Sequence, residues 1–532
     1  MISHGYIQKR EDIGHWFNLV LCIFSIIREN PCISVAKLKI QVVWSDFMPL
    51  LKIQIRELDK PKIIPARVHI WNDKGKYFYP DGCIPYEIDK HFTTNGSFKL
   101  QVPLGEVFIL IEKGKEYIPV EGELIIDKGQ DYHLDCELKH WINMTELGWY
   151  SGDLHIHRTI SEMESLILAE DLNIAPNITV WNDWRYSNDD VKIVPKDGIV
   201  NVDRTHAFSI LTQEDERKGG AVLLLNLDSP IDLGLTTDWH PAGFEYCQVA
   251  KERNFIVDQE KPFWWEAPVN VALGGVDTIG ILNNHIQRAE IMDNEAWGKP
   301  RDLDKHPGYM GFVHNVLDLY YHYLNLGLKL PISAGSASGV LKNPVGFNRL
   351  YVHLSEDFNC RNWFQGMKDG CSFATNGPML FFSINNCESG DTVTGLYGKE
   401  LQAKCSIKVQ SLNPLDNIQI VYNGEVIQEI SANGSEELTQ EFDLSLPESG
   451  WVIARAFEKQ DKTIKFAHTS PIYIQIGSSP MRPRKESSLF YANWCKELLE
   501  MSVADKNRYT THIQREEVES IYRRAIAFYE SF

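Results

Sequence analysis

Apolar, strand-length runs alternate with helical patterns between about residues 148 and 378, and this alternation constrains the fold more than any other feature of the chain. The runs lie at 174–180, 221–227, 255–257, 278–282 and 330–334, with longer segments between them. Such alternation is typical of parallel β/α architecture, because parallel neighbours need a crossover connection. We therefore expect an α/β domain over residues 146–379 whose strand ends form one rim.

Both flanks of this central segment have short strand patterns and turn signals. Residues 49–145 carry Asn-Asp, Pro-Asp-Gly and Asn-Gly turns, and residues 380–478 include an Asn-Gly turn at 423–424. Short strands punctuated in this way predict antiparallel β-sandwiches. After residue 478 the apolar spacing becomes helical, so residues 479–532 should form helices that pack on the body of the protein.

Residues 1–48 hold one candidate targeting segment, an apolar run at 16–27 preceded by Lys9 and Arg10. The run is too short to span a bilayer, and Glu11 and Asp12 interrupt the positive flank that an export signal needs. We interpret it as an export signal or remnant, with a buried core segment as the alternative. The expected location is extracytoplasmic or secreted, a cytoplasmic location stays open, and no stable membrane span is expected.

The 532 residues include 53 basic and 72 acidic ones, which gives a formal net charge of −19. A surface this negative repels a phosphate backbone, so nucleic acid is not an expected partner. The ten cysteines are scattered without a C-x-x-C pair, which argues against a thiolate zinc site. A small-molecule substrate is the partner that we expect.

The sharpest local motif is the G-D-L-H-I-H-R stretch at 152–158. On a strand, His155 and His157 point the same way while the intervening apolar residues face the other side, an arrangement that suits metal binding. Asp153, two residues before the pair, could orient one of the rings. A packed histidine pair without a metal is the alternative.

A predicted helix after this motif contributes one acid. Ser161 and Glu164 fit an S-x-x-E capping box, after which Met163, Ile167 and Glu170 share one helical face. Since a buried acid requires a cation or strong hydrogen-bond donors, Glu170 is a candidate catalytic carboxylate.

Polar side chains follow the predicted strands of the central segment. Because sites in β/α domains form at the carboxyl ends of the strands, these side chains should surround one mouth. Glu260 and His285 are candidate metal ligands, and Asp258 is a candidate orienting group or general base; a surface pair of Glu260 with Lys261 is one structural alternative. The candidate substrate contacts are Arg158, Trp181, Asn182, Trp265, Asn283 and Ser336.

With these motifs the chain resembles the polymerase-and-histidinol-phosphatase (PHP) superfamily of metal-dependent hydrolases, and within it the carbaryl-hydrolase-like (CehA/McbA) group. The matching stretches are 113–117, 152–157, A-G-S at 334–336, and Trp451 with A-H-T-S-P at 467–471. The resemblance covers most of residues 50–476. It implies a distorted parallel β/α barrel, here flanked by the two sandwiches, that binds zinc, manganese or iron and activates a water.

The sequence departs from the usual ligand motifs of this superfamily at several places. T-V-W-N at 179–182 stands where T-D-H-N is usual, E-K-P at 260–262 replaces H-P, Gly280 replaces a glutamate, and G-S-A at 335–337 replaces G-[ST]-D. These departures favour a rebuilt site for one divalent metal ion over a site for three. Its expected ligands are His155, His157, Glu260 and His285.

The expected function is metal-dependent hydrolysis of an ester or phosphoester through a metal-activated water. Asp153, Glu170 and Asp258 are the candidate catalytic carboxylates. One alternative is a secreted structural or adhesive protein. The other is a metal-depleted barrel that binds a carbohydrate or another small ligand on the tryptophans Trp181, Trp184, Trp264 and Trp265.

Overall fold

The computed structural model describes residues 38–44, 49–83, 85–182, 184–185, 198–459, 463–478, 480–505 and 507–532. The predicted apolar run at 16–27 lies outside the described residues. Over the described part of the chain the fold is mixed α/β and rich in strands, with large sheets and seven α-helices. No helix in these ranges is long and apolar enough to cross a membrane.

Two sheets of the N-terminal region enclose one hydrophobic core. Alternate residues of the strand Leu50–Glu57 are buried, which is the pattern of a strand with one face on a core. The strand Gln130–His140, which the sequence analysis did not predict, pairs in parallel with Leu50–Glu57, so the region is not purely antiparallel. The strands are β1 (Leu38–Trp44), β2 (Leu50–Glu57), β3 (Ala66–Asn72), β4 (Pro85–Tyr86), β5 (His91–Thr94), β6 (Ser97–Gln101), β7 (Gly105–Glu112), β8 (Tyr117–Ile118), β9 (Val120–Ile126) and β10 (Gln130–His140).

The central region alternates strands with helices, as predicted, and begins after a 3₁₀ turn at Thr145–Leu147. Its elements in chain order are β11 (Trp149–Gly152), α1 (Ile160–Ala169), β12 (Ile174–Trp181), β13 (Trp184–Arg185), β14 (Ile199–Asn201), β15 (Ala207–Arg217), β16 (Gly220–Leu225), α2 (Gly243–Glu252), β17 (Ile256–Gln259), α3 (Ala267–Ala272), β18 (Thr278–Leu282), α4 (Gly308–Leu324), β19 (Ile332–Ala334), β20 (Arg349–His353), α5 (Cys360–Asp369) and β21 (Ser372–Thr375).

The pairing in the central sheet is only partly parallel. Strand β12 pairs in parallel with β11 and β15, and β18 pairs in parallel with β17 and β19. Strand β16 instead runs antiparallel to both β15 and β17. The cause is the tight turn between Arg217 and Gly220, which pair with each other and leave no chain for a crossover helix.

The first helix of this region starts earlier than predicted. Helix α1 begins at Ile160, and its capping box joins Thr159 to Glu162, whose carboxylate accepts a hydrogen bond from the Thr159 backbone N–H at 3.1 Å. The predicted box at Ser161 and Glu164 is therefore wrong by two residues. The predicted inward face is correct, since Met163 and Ile167 are buried.

The C-terminal strands share a second large core and continue the central sheet, because β21 pairs with Phe466–Thr469. These strands are β22 (Met379–Ile384), β23 (Thr392–Gly395), β24 (Leu401–Gln410), β25 (Leu415–Tyr422), β26 (Glu425–Ser431), β27 (Glu437–Leu446), β28 (Gly450–Glu458), β29 (Phe466–Thr469) and β30 (Ile472–Ile476). The tail forms α6 (Lys485–Ala504) and α7 (His512–Glu530). Both pack on the body as predicted: Tyr491 stacks on Tyr323 with ring centroids 4.1 Å apart, and the Tyr529 hydroxyl donates to the Pro268 carbonyl.

Candidate metal centre

The His155–His157 segment is held between two strand ends of the central sheet. The Ile178 N–H donates to the Ile156 carbonyl at 2.8 Å on one side. On the other side the Leu154 N–H donates to the Ala334 carbonyl and the His157 N–H to the Ser338 carbonyl. Leu154 and Ile156 are fully buried in the core, so the two imidazoles share the opposite face, as the strand alternation predicts.

Three glycines permit the close packing around this segment. A Cβ added to Gly335 would lie 2.5 Å from the His155 Cβ, and one added to Gly280 would lie 2.0 Å from the Glu260 carbonyl oxygen. Gly339 has a φ of +109°, and a Cβ added to it would lie 1.9 Å from the His157 carbonyl oxygen. Any side chain at these positions would displace the backbone that presents the histidines and Glu260.

His155, His157 and Glu214 form a compact, buried group with the composition of a metal site. Each offers one ligand atom, and these atoms all lie within 4.8 Å of one another. The two Nε2 atoms are 3.0 Å apart, and the Glu214 carboxylate lies 3.5 Å from His155 Nε2 and 3.2 Å from His157 Nε2. Glu214 lies on β15 and was missed by the sequence analysis.

The protonation of the group follows from its charges. Burial opposes a charge on His155, but Glu214 and Glu260 outweigh it and raise the pKa of His155 to about 10. Burial and the neighbouring His155 lower the pKa of His157 against the attraction of Glu214. His155 therefore carries a proton that an incoming cation would displace.

Glu260 contacts the other nitrogen of His155, with 2.6 Å between its Oε2 and Nδ1. Its second oxygen accepts hydrogen bonds from the Lys261 ammonium and from the Trp264 indole N–H. Lys261 is buried, so this ion pair is not the surface pair considered from the sequence. A carboxylate on the far nitrogen of a metal-binding histidine fixes the ring's orientation, which is the role that this geometry gives Glu260.

The cations nearest to the two acids of the group are the protonated His155 and Lys261, so a metal ion would bind here in exchange for the His155 proton. Glu214 Oε2 and Glu260 Oε2 have no hydrogen-bond partner with acceptable geometry among the described residues, although each lies near an imidazole nitrogen. Two imidazoles and a carboxylate with an open position are a donor set that zinc, manganese or iron accepts. The residues present therefore fit one divalent ion, whose identity they leave open.

His285 lies close to the group but outside the set of three ligands. Its Nδ1 lies 2.8 Å from the Asn294 carbonyl, and its ring stacks on Phe312. Burial, with Lys261 next in effect, lowers the pKa of His285 to about 3, so the ring is neutral. Asn283 accepts the His285 backbone N–H through its side-chain oxygen and thereby closes the turn after β18.

Asp153 and Ser336 join the loops on which the histidines lie. The Asp153 carboxylate accepts hydrogen bonds from the backbone N–H groups of His155, Ser336 and Gly346 and from the Ser336 hydroxyl. Burial raises the pKa of Asp153 against these donors. Both side chains are thus occupied in holding the site together.

Asp258 lies beside a small cavity of about 10 Å³ that His155, Glu260 and Asn283 also line. Its carboxylate accepts hydrogen bonds from the hydroxyls of Thr278 and Ser333. Burial raises the pKa of Asp258 to about 7 against these donors. A cavity of this size has room for about one water.

Glu170 and Arg158, two other predicted site residues, face the N-terminal region. The Arg67 guanidinium donates to the Glu170 carboxylate at 2.9 Å. Arg158 donates to Glu162 at 2.8 Å and lies 4.3 Å from the centre of the Tyr86 ring. Neither side chain belongs to the group of three ligands.

Trp181 does flank the group, since its ring centroid lies 4.7 Å from that of His157. Its indole N–H donates to Glu216 at 2.9 Å, and the Asn182 side chain accepts the Glu216 backbone N–H at 2.8 Å. Burial, Glu214 and Glu260 raise the pKa of Glu216 to about 7. Glu216 is the second functional candidate that sequence reasoning missed.

The other tryptophans of the predicted ligand platform do not join Trp181. Trp264 is buried and stacks on Trp297, with 5.0 Å between centroids. Trp265 packs edge-on against Trp494 of α6. The Trp184 side chain lies outside the described residues.

Glu214 and Glu216 had a usable signal in the sequence. They lie two apart in A-F-S-I-L-T-Q-E-D-E-R at 207–217, which ends in three acids. The apolar start of this segment and its period of two are consistent with a strand whose end carries two carboxylates on one face. The run at 221–227, which directly follows, is more apolar and was predicted instead.

A second group of possible ligands, His69, Asp89 and His91, lies where the N-terminal region meets the central one. Here the protein supplies its own cation, because Arg288 lies 3.3 Å from His69 Nε2 and 3.1 Å from Asp89. Burial lowers the pKa of His91 to about 3. The arginine makes this group an ion-pair contact between the two regions.

No protein-family model matches this chain, and no curated protein matches it in sequence.

Proposed function

We propose that the protein is a metal-dependent hydrolase that cleaves an ester or phosphoester with a water activated by one divalent ion. The observation that carries this proposal is the buried group of His155, His157 and Glu214, whose ligand atoms lie within 4.8 Å of one another. Buried ionisable groups with strongly shifted pKa values cluster at functional sites, and His155 and Glu214 are such groups. The resemblance to the PHP superfamily, on the motif at 152–157, supports the same class of reaction.

We also propose that the central region forms a barrel. Strands β11, β12 and β15 to β19 are joined in order through ladders, and residues 154–157 bond to both β12 and the segment after β19. Bonds between the first and last strands of a sheet are those that a closed barrel requires, so they support this proposal. Closure of this kind would bring the strand ends that carry His155, Glu214 and Glu260 to one mouth.

Three residues would hold the ion, and one would orient a ligand. His155, His157 and Glu214 supply the donor atoms, while Glu260 holds the His155 ring through Nδ1. When bound, the ion supplies a Lewis acid that makes water acidic enough to ionise near neutral pH. The Lys261 ammonium neutralises the remaining charge of Glu260, which favours one ion over several.

Glu216 is the residue best placed to move a proton. It is half-buried, and it lies two residues from Glu214 on the same face of β15. Without an ion, burial and the charges of Glu214 and Glu260 raise its pKa to about 7; a bound ion would lower that pKa and leave the carboxylate ionised, as a general base requires. Asp258 has a similar pKa but lies beside a cavity for about one water. We assign Glu216 the role of general base and Asp258 the role of a buried proton-holding group.

Purified full-length protein should be tested for bound transition metal and for hydrolysis of p-nitrophenyl acetate, p-nitrophenyl phosphate and bis-p-nitrophenyl phosphate. We expect about one ion per chain and metal-dependent release of nitrophenol from at least one of these esters. The His155→Ala, His157→Ala double variant should lose both. A matched control is His353→Ala, an exposed ion-pair histidine outside the site, which should retain both. Absence of bound metal together with unchanged behaviour of the double variant would contradict the proposal.

A further inference from the structure

A polar cavity of about 720 Å³ lies where the N-terminal, central and C-terminal regions meet. It is separate from the His155–His157–Glu214 group, since none of those residues lines it. Three acids line it, Glu112, Glu170 and Glu458. Six cationic side chains line it as well: Arg67, Lys115, Arg288, Arg349, Lys459 and Lys465.

Most of these charges are paired with each other. Arg67 contacts Glu112 at 3.0 Å and Glu170 at 2.9 Å, and Lys465 lies 3.7 Å from Glu458. Arg288 also forms an ion pair with Glu112. These contacts use all three acids that the described residues contribute to the cavity wall.

Apart from the exposed Lys459, two of the cations have no such ion pair. Arg349 is fully buried and donates to the backbone carbonyls of Gly346 and Glu170, and within the described residues it forms no ion pair. The Lys115 ammonium donates to the Asn376 carbonyl at 2.9 Å and lies 4.1 Å from the centre of the Phe347 ring, again without an ion pair in the described ranges. Two uncompensated positive charges thus line one cavity.

A third donor is available in the same wall. Arg67 is only 4% exposed, and its Nε, unlike its two terminal nitrogens, has no hydrogen-bond partner among the described residues. A buried donor without a partner costs free energy that a ligand can recover. Burial, together with Lys465, lowers the pKa of Lys115, which is the effect expected of cations that lack an anion.

We propose that this cavity binds a doubly charged tetrahedral oxyanion, a phosphate or sulfate group, through Lys115, Arg349 and Arg67. A dianion matches the two uncompensated cations, and guanidinium groups bind such oxygens through paired N–H donors. The cavity is larger than one oxyanion and has the size of a small-molecule site. The group is therefore carried by a small molecule whose remaining atoms occupy the rest of the cavity, which Lys465 also lines.

Isothermal titration calorimetry of the full chain with inorganic phosphate, inorganic sulfate and phenyl phosphate tests the proposal, with sodium chloride of equal ionic strength as the reference. We expect saturable binding of all three, with phenyl phosphate tightest. Loss of one charge-assisted hydrogen bond should weaken binding about tenfold in Lys115→Met. Lys465→Gln should weaken the binding of phenyl phosphate. Lys404→Gln, at an exposed lysine outside the cavity, is the matched control and should bind all three anions as wild type does.

Binding of the anions no tighter than chloride, or equal binding by wild type, Lys115→Met and Lys465→Gln, would overturn the proposal. If Lys115→Met does not fold, Lys115→Gln, which keeps a polar side chain at the position, takes its place, and phosphate binding equal to that of wild type would overturn the proposal. The His155→Ala, His157→Ala double variant should bind phosphate as wild type does. The anion site and the metal site can therefore fail separately.

Discussion

Replacing Glu214 with glutamine removes the one charged ligand of the metal group while it preserves the shape of the side chain. In the structure three donor atoms lie within 4.8 Å of one another, so Glu214→Gln leaves two imidazoles. Four-ligand zinc sites bind with about 10–16 kcal/mol, or about 3 kcal/mol per ligand. A loss of about 3 kcal/mol corresponds to about a hundredfold weaker binding of zinc.

The measurement is a competition titration of zinc against a chromophoric chelator at pH 7, with circular dichroism to show that each variant folds. Glu216→Gln is the matched control, because it removes the neighbouring acid of β15 without removing a ligand, and its affinity should stay within about threefold of wild type. The zinc affinity of Glu260→Gln should lie between those of the two other variants, about 10–100-fold below wild type, because this variant loses only the group that orients His155. If a folded Glu214→Gln protein binds zinc as tightly as wild type, Glu214 is not a ligand.

Three further predictions concern stability. Gly335→Ala would place a Cβ 2.5 Å from that of His155, so the free energy of unfolding should fall by about 1–3 kcal/mol in urea titrations. His468 is fully buried, and burial with the charge of Arg455 lowers its pKa to about 3. Between pH 3 and 6.5 it therefore binds fewer protons in the folded than in the unfolded protein. The free energy of unfolding consequently falls as the pH falls through this window. From pH 7 to pH 5 the His468→Asn protein should lose about 2 kcal/mol less than wild type, and equal losses would exclude this role. Arg288→Met should cost about 1–2 kcal/mol because it removes the arginine from Asp89 and one of the two arginines that pair with Glu112, whereas loss of the exposed Arg484 pair in Arg484→Met should cost less than about 1 kcal/mol.

The fold could be predicted from the sequence wherever one pattern of apolar residues dominated a segment. The strand 174–180 and the strand 278–282 agree with β12 and β18 because continuous apolar runs mark buried strands. The strand β15 was missed because polar residues make up its second half. Glu214 and Glu216 among them contact His155, His157 and Trp181 of the site, an environment that no local pattern contains.

The candidate site was predictable in part. His155 and His157 share a face because the alternation of a strand is a property of adjacent residues. Glu260 was expected as a ligand, but the structure places it on His155 Nδ1, with Lys261 and Trp264 on its other oxygen. That difference depends on which nitrogen each acid reaches, which is a matter of three-dimensional packing.

The sequence by itself determined the alternation of strands and helices between residues 148 and 378, the paired histidines and the helical tail. Each of these is a short-range pattern, and backbone geometry converts it directly into structure. Only the tertiary structure decided that Glu214 completes the histidine pair, that Glu170 pairs with Arg67, and that Arg349 faces a shared cavity. These contacts join residues that are tens to hundreds of positions apart, so they depend on the register of the sheets and on how the three regions pack.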